Sequence, residues 1–306
     1  MGKFLQAVTE TSGILPHSVL IYGPDGIGKT TFASQFESPI FIGSENGAGR
    51  LKLKRMPLAY SFSEILAQLQ ELYTEKHSYK TLAVDSLDWL ESMIWADVCE
   101  ADGVKNIELA MGGFARGYIE ALKYWQKFRP YLERLRLEKG MNIVLIAHSM
   151  VKTFNDPFTN SSYDRYQIKL HDKAAAYLRE AVDCVLFGNF KVATQGKENQ
   201  KHKAYGDGSR VLYTERRPGF DAKNRLGLPF ILPFSYADFQ AACDQGNPEK
   251  IQEILNRINV ILEFKNDKEL SQKVIFKMEE AKDDVSKLLA IENRLQTLIL
   301  NEENVK

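Results

Sequence analysis

The chain has 306 residues, 44% of them hydrophobic and 11% aromatic, enough apolar matter for one large core or two small ones. Its 40 Lys plus Arg balance 40 Asp plus Glu, and the zero net charge excludes a globally basic nucleic-acid or membrane binder, so any such surface must be local. Three scattered cysteines, Cys99, Cys184 and Cys243, exclude a disulfide framework and a cysteine-built zinc centre and fit a reducing cytoplasm, the expected location.

No long apolar run marks the first residues, so no signal peptide is expected, and no stretch is long enough to span a bilayer, so no membrane is expected as a partner. Ser18 to Tyr22 reads as a buried strand. Gly23-Pro24-Asp25-Gly26-Ile27-Gly28-Lys29-Thr30 follows at once and fits GxxxxGK[ST] in full. Thr31 and Phe32 then open a helix. The chemistry needs this arrangement. Glycines let the backbone wrap a polyphosphate with its N–H groups turned inward. The helix N-terminus adds partial positive charge. Residues 23–31 are therefore expected to bind ATP, with Lys29 on the β- and γ-phosphates and the Thr30 hydroxyl on Mg²⁺.

Ile40 to Ile42 is a short apolar strand, and Glu45 stands just past it. A carboxylate there could orient an attacking water; the alternative is a solvated turn beside Asn46 and Gly47. Leu82 to Val84 is a second apolar strand ending in Asp85, expected as the metal-side carboxylate, with helix capping as the alternative. Ser86 stands where many motor ATPases carry a water-activating glutamate, so a hydrolase must find its base elsewhere. Asn142 to Ala147 is a third strand, ending in His148, which is either structural or a contact to the γ-phosphate.

Two segments lack strong periodicity and lie beyond strand ends, 103–118 and 149–169. They carry Arg116, Lys152, Arg165 and Lys169 for phosphates, and Phe154, Phe158, Tyr163 and Tyr166 for base stacking. They are read as loops that bind single-stranded DNA with little sequence preference; the alternative is a loop whose aromatics pack on its own domain. Residues 199–210 read as an exposed hairpin or loop. After Pro248 the apolar positions Ile251, Ile254, Leu255, Ile258, Met278, Ala281, Val285, Leu288, Leu295 and Ile299 recur at helical spacing, which predicts two or three amphipathic helices.

The order of these motifs resembles the RecA-like core of recombinases. More closely, the chain is similar to phage-encoded RecA-like nucleotide-binding proteins that serve as minimal single-strand annealing recombinases, over roughly residues 15 to 240. Its segments "GGFARGYIEAL", "IAHSMVKTF", "KAAAYLREAVDCVLF" and "RPGFDAKNRLGLP" resemble blocks of that family. The resemblance implies an α/β fold with a mainly parallel central sheet flanked by helices in residues 1–244, and a helical C-terminal extension in residues 245–306. It assigns Glu45 as the water-activating glutamate and His148 as the γ-phosphate sensor. It also places Lys223 or Arg225 on the γ-phosphate of a neighbouring subunit. The implied activity is DNA-stimulated ATP hydrolysis coupled to annealing or recombination. Its implied partners are single-stranded DNA, further copies of the chain in a ring or filament, and a single-stranded-DNA-binding protein, in a bacterial host cytoplasm. The competing expectations are a small-molecule P-loop kinase and a nucleotide switch that docks a partner through its C-terminal helices.

Overall fold

A computed structural model describes residues 15–43, 51–157, 161–191, 193–195, 203–245, 248–265, 267–282 and 284–303. The chain divides into two compact units, Met1–Asn224 and Arg225–Lys306.

The first unit is built on one sheet. Its strands are β1 (Ser18–Gly23), β2 (Pro39–Gly43), β3 (Thr81–Asp85), β4 (Asn142–Phe154), β6 (Cys184–Phe190) and β9 (Arg210–Tyr213), in the spatial order β9-β6-β1-β4-β3-β2. β5 (Tyr163–Ile168) pairs with β4, and β10 (Lys223–Asn224) with β6. The pairings of β1 with β4 and β6, of β3 with β4 and of β2 with β3 are all parallel. Strands of a parallel sheet are covered on both faces, which is why Val19-Leu20-Ile21-Tyr22 and Ile143-Val144-Leu145-Ile146-Ala147 are continuous apolar runs. Each such side chain contributes about 1.5–3 kcal/mol on burial.

One face of the sheet, with Leu20, Ile42, Val84, Leu145 and Phe187, carries a single large cluster. It is completed by α2 (Phe62–Thr74), α3 (Leu87–Asp102), α4 (Arg116–Leu137) and α5 (Asp172–Ala181) through Leu69, Ile94, Trp125 and Leu178. α1 (Lys29–Ser34) contacts β1 and β4. β7 (Ala193–Gln195) pairs with β8 (Lys203–Tyr205) as an antiparallel hairpin, and β8 falls inside the 199–210 segment expected to be an exposed hairpin or loop.

The order of the strands places the site. The chain leaves β1 toward β2 on one side and leaves β4 toward β6 on the other. The crevice outside the carboxyl ends of β1 and β4 is therefore where the strand order reverses, the usual ligand position in open α/β sheets.

In the second unit β11 (Ile231–Pro233) and α6 (Tyr236–Cys243) precede α7 (Pro248–Lys265), α8 (Lys268–Ala281) and α9 (Val285–Glu303). Three helices form where two or three were expected. Ile254, Ile258, Ala281, Val285, Leu288 and Leu295 of the apolar stripe pack together, and Ala241 of α6 joins them. The side chain of Ile299 lies outside the described residues. The boundary drawn from the sequence at 244/245 thus falls inside the second compact unit, because α6 shares the core of the helices that follow it.

Candidate functional site

β1 ends at Gly23, where a Cβ would stand 2.2 Å from the Gly188 carbonyl oxygen, so only glycine lets the chain turn away there. Gly26 and Gly28 have φ of 71° and 105°, in the left-handed region that glycine enters freely. The loop closes onto α1 through the Phe32 N–H, which donates to Gly28 O at 2.9 Å. Lys29 is buried, and its ammonium donates to the carbonyls of Gly23 at 3.0 Å and Pro24 at 2.9 Å.

Thr30 Oγ1 donates to Asp85 Oδ2 at 2.7 Å, which joins the two residues assigned to the metal. Burial raises the Asp85 pKa, opposed by the Thr30 hydrogen bond and by Lys29, His148 and Arg55. A hydroxyl and a half-buried carboxylate form a hard-oxygen donor pair suited to Mg²⁺. Capping does not account for Asp85: it is the last residue of β3, and Ser86 holds the N-cap position of α3. Gly26, Gly28, Lys29, Thr30, Thr31, Arg55, Asp85 and His148 line one cavity of about 310 Å³.

His148 pairs in register with Gly23, so it stands at the same sheet edge as the glycine loop. Its Nδ1 faces the Asp88 carboxylate at 2.9 Å, its backbone N–H donates to Asp88 Oδ1 at 3.1 Å, and its Nε2 lies 3.3 Å from Asp25 Oδ1. The Asp88 hydrogen bond raises the His148 pKa against the effect of burial. Asp88 is lowered in turn: burial pushes it up, but its hydrogen bonds to His148 and the His148 charge outweigh that. His148 therefore bridges the glycine loop to the first turn of α3.

A larger cavity of about 720 Å³ adjoins this bridge and is lined in part by Asp25, Asp88, Glu91, Trp95, Tyr118 and His171. Glu91 is buried and accepts the His171 backbone N–H at 2.9 Å. Burial pushes its carboxyl up to about 7. The His171 ring stacks on Tyr118 at 4.2 Å, and burial lowers its pKa.

The remaining assignments fare differently. Glu45 and Phe158 lie outside the described residues. The 149–169 segment is not a loop, because β4 runs on to Phe154 and returns through β5 as an antiparallel ribbon. Alternation accounts for it: Met150, Lys152 and Phe154 are opposed by Gln167, Arg165 and Tyr163. Lys152 pairs with Asp172 at 2.7 Å, and Lys169 is exposed, 4.0 Å from Asp88. Phe154 packs on Tyr163 at 5.7 Å, and Tyr166 on Phe187 at 5.1 Å, so part of each ring is already covered. Arg165 is not a surface contact. It is 3% exposed and paired to Asp221 at 2.7 Å.

In 103–118, Tyr118 is likewise spent on packing. Arg116 is exposed at the start of α4, and Phe114, at φ 54°, is 91% exposed. Lys223 is corrected most clearly. Its ammonium donates to the carbonyls of Arg179, Glu180 and Val182 at 2.9, 3.1 and 2.6 Å, so it caps α5 of its own chain. Arg225 is exposed at the start of the second unit.

Sequence reasoning missed Arg55, Asp88 and Glu91 as site residues. Arg55 carries no periodic signal; it reaches the cavity because residues 54–56 hydrogen-bond to Phe41 beside β2. Asp88, Glu91 and Trp95 did leave a trace, the i, i+3 and i, i+4 spacing that puts them on one helix face.

A family described as AAA domain (AAA_24) matches residues 15–226, more than half of the chain and nearly the whole of the first unit. No curated protein matches the sequence. Among the described residues, no helix is long and apolar enough to cross a membrane.

Proposed function

Because the chain belongs to the AAA-domain family of P-loop ATPases, we propose that it hydrolyses ATP in a RecA-like manner and acts on single-stranded DNA. In this reading it promotes annealing or recombination of phage DNA, assembled as a ring or filament that works beside a single-stranded-DNA-binding protein. One observation carries the nucleotide chemistry: the Thr30 hydroxyl lies 2.7 Å from Asp85, and both line one cavity with Gly26, Gly28 and Lys29. Lys29 and the loop N–H groups bind the phosphates; Thr30 and Asp85 would hold Mg²⁺, which would supply positive charge beside them. Glu45 orients the water, since Ser86 cannot.

The coupling to DNA runs through β4. His148 faces the phosphate cavity, and the same strand continues into the ribbon that bears Lys152 and Phe154. A change in charge at the phosphates alters the Asp25–His148–Asp88 bridge, and the strand carries that change to the ribbon. Phe114 and Arg116 supply a second stacking and phosphate-binding surface.

The test is ATP hydrolysis by purified protein with and without single-stranded DNA, beside Lys29→Ala and Glu45→Ala. Turnover that DNA stimulates and both substitutions abolish supports the reading. Turnover that DNA leaves unchanged removes the DNA half and keeps the ATPase. A second reading, phosphate transfer to a small molecule, is favoured by the cavity of about 720 Å³ beside His148. It requires negligible ATP consumption until an acceptor is supplied.

A further inference from the structure

A polar cavity of about 360 Å³ lies between the β4–β5 ribbon and α5, and none of its lining residues lines the P-loop cavity. Four cationic side chains face it, Lys152, Arg165, Arg179 and Arg216, against two carboxylates, Asp172 and Asp221. Three of the cations converge on Asp221. Arg165 Nη2 donates to its Oδ1 at 2.7 Å, Arg179 Nη1 donates to its Oδ2, and Arg216 Nε stands 3.9 Å from Oδ1. Asp221 is pinned from behind: its N–H donates to the Tyr22 hydroxyl at 3.0 Å, and that hydroxyl donates to its carbonyl at 2.6 Å.

The arrangement exceeds what structure alone needs. Arg165 and Arg179 each donate to one oxygen of Asp221, and Lys152 pairs with Asp172. Arg216 then stands beside an oxygen already taken, and four cations face two carboxylates, like charge that a further anion relieves. Arg165 is 3% exposed and spends Nη2 on Asp221 and the Phe220 carbonyl, so it holds Asp221 in place. An oxyanion with several acceptor oxygens matches guanidinium groups, which present their donors in planar pairs.

We propose that this cavity binds a phosphate group, held by Arg179, Arg216 and Lys152, with the buried Arg165–Asp221 pair as the positioning residues that gather the guanidinium groups. Two sources share this chemistry, an internucleotide phosphate of single-stranded DNA and free inorganic phosphate. The first rests on the function proposed above and is the expected one. Phe154 lines the same cavity with its ring 5.3 Å from the Arg165 guanidinium carbon, which places a stacking surface beside the phosphate site.

The experiment uses the full chain loaded with a non-hydrolysable ATP analogue, so that the P-loop is filled. Binding of a fluorescein-labelled oligothymidylate is followed across a salt series, and binding of inorganic phosphate by phosphorus NMR. Arg216→Ala and Arg216→Glu are the variants, because Arg216 is the most exposed of the three arginines and its loss leaves the Arg165–Asp221 pair in place. The expected result is oligonucleotide affinity about threefold to tenfold weaker in Arg216→Ala, with the slope of log K against log salt shallower by about 0.7, the value for one single-strand phosphate. Arg216→Glu weakens it further. If the oligonucleotide does not bind the wild type but inorganic phosphate does, and Arg216→Glu loses it, the site stands, its ligand is free phosphate, and the DNA reading fails. If neither probe separates the variants from the wild type, the phosphate site is overturned, and oligonucleotide binding by the wild type would leave the DNA reading standing.

Discussion

Glu91 shows how much a single buried side chain sets the behaviour of the cavity beside His148. Burial lifts its carboxyl from 4.5 to about 7; the His171 N–H and Lys152 act downward, and Asp88 and Asp172 act upward. The folded protein therefore binds this proton more tightly than the unfolded chain does. Between pH 4.5 and about 7 the folded state carries more protons, so stability falls as pH rises through that window and levels off above it. Glu91→Gln keeps an acceptor for the His171 N–H and removes the charge. Thermal melts should show the variant equal to the wild type near pH 4.5 and more stable above about pH 7, with a gap on the order of 3 kcal/mol. A gap that does not widen with pH would place the titration on another group. The sequence made the glycine loop and Asp85 legible because both follow local rules, a fixed spacing and a strand end. Glu91 obeys no such rule: its role depends on His171, which arrives from eighty positions downstream.

Among the elements, the buried strands were legible and the ribbon was not, for one physical reason. β1, β3 and the first half of β4 are covered on both faces and read as unbroken apolar runs. Beyond Ala147 the alternation persists as Met150, Lys152 and Phe154, but a lysine in the inward register disguises it. The resemblance offered Lys223 or Arg225 for the γ-phosphate, and nothing local in the sequence shows that the end of α5 takes up the Lys223 ammonium. Its three carbonyl partners predict a structural effect. Lys223→Met should lower stability by about 1–2 kcal/mol through loss of a cation at a helix C-terminus. Turnover per folded molecule should not change. Urea denaturation read beside steady-state ATPase rates checks both statements, and a slowed enzyme of undiminished stability would return Lys223 to the phosphates.

For the whole molecule, the family match ends at residue 226, at the junction of the two units, and the exposed Arg225 stands in that junction. With Lys223 committed within its own chain, Arg225 is the remaining candidate for charge neutralisation in the proposed ring or filament. A heterologous contact in such an assembly joins one subunit's P-loop to the next subunit's arginine, so the two halves of the site can be inactivated on different chains. Lys29→Ala destroys the phosphate cradle and leaves Arg225; Arg225→Ala does the reverse. Each variant alone should turn over ATP far more slowly than the wild type, because every interface lacks one half. In an equal mixture, roughly a quarter of the interfaces combine an intact cradle with an intact arginine, and turnover should recover to about that fraction of the wild-type rate. The rate per subunit should also rise with protein concentration as assembly fills. If the mixture recovers nothing, Arg225 does not act across the interface. If Arg225→Ala alone keeps the wild-type rate, hydrolysis is completed within one chain, and the acidic and basic groups around His148 become the residues that must supply it.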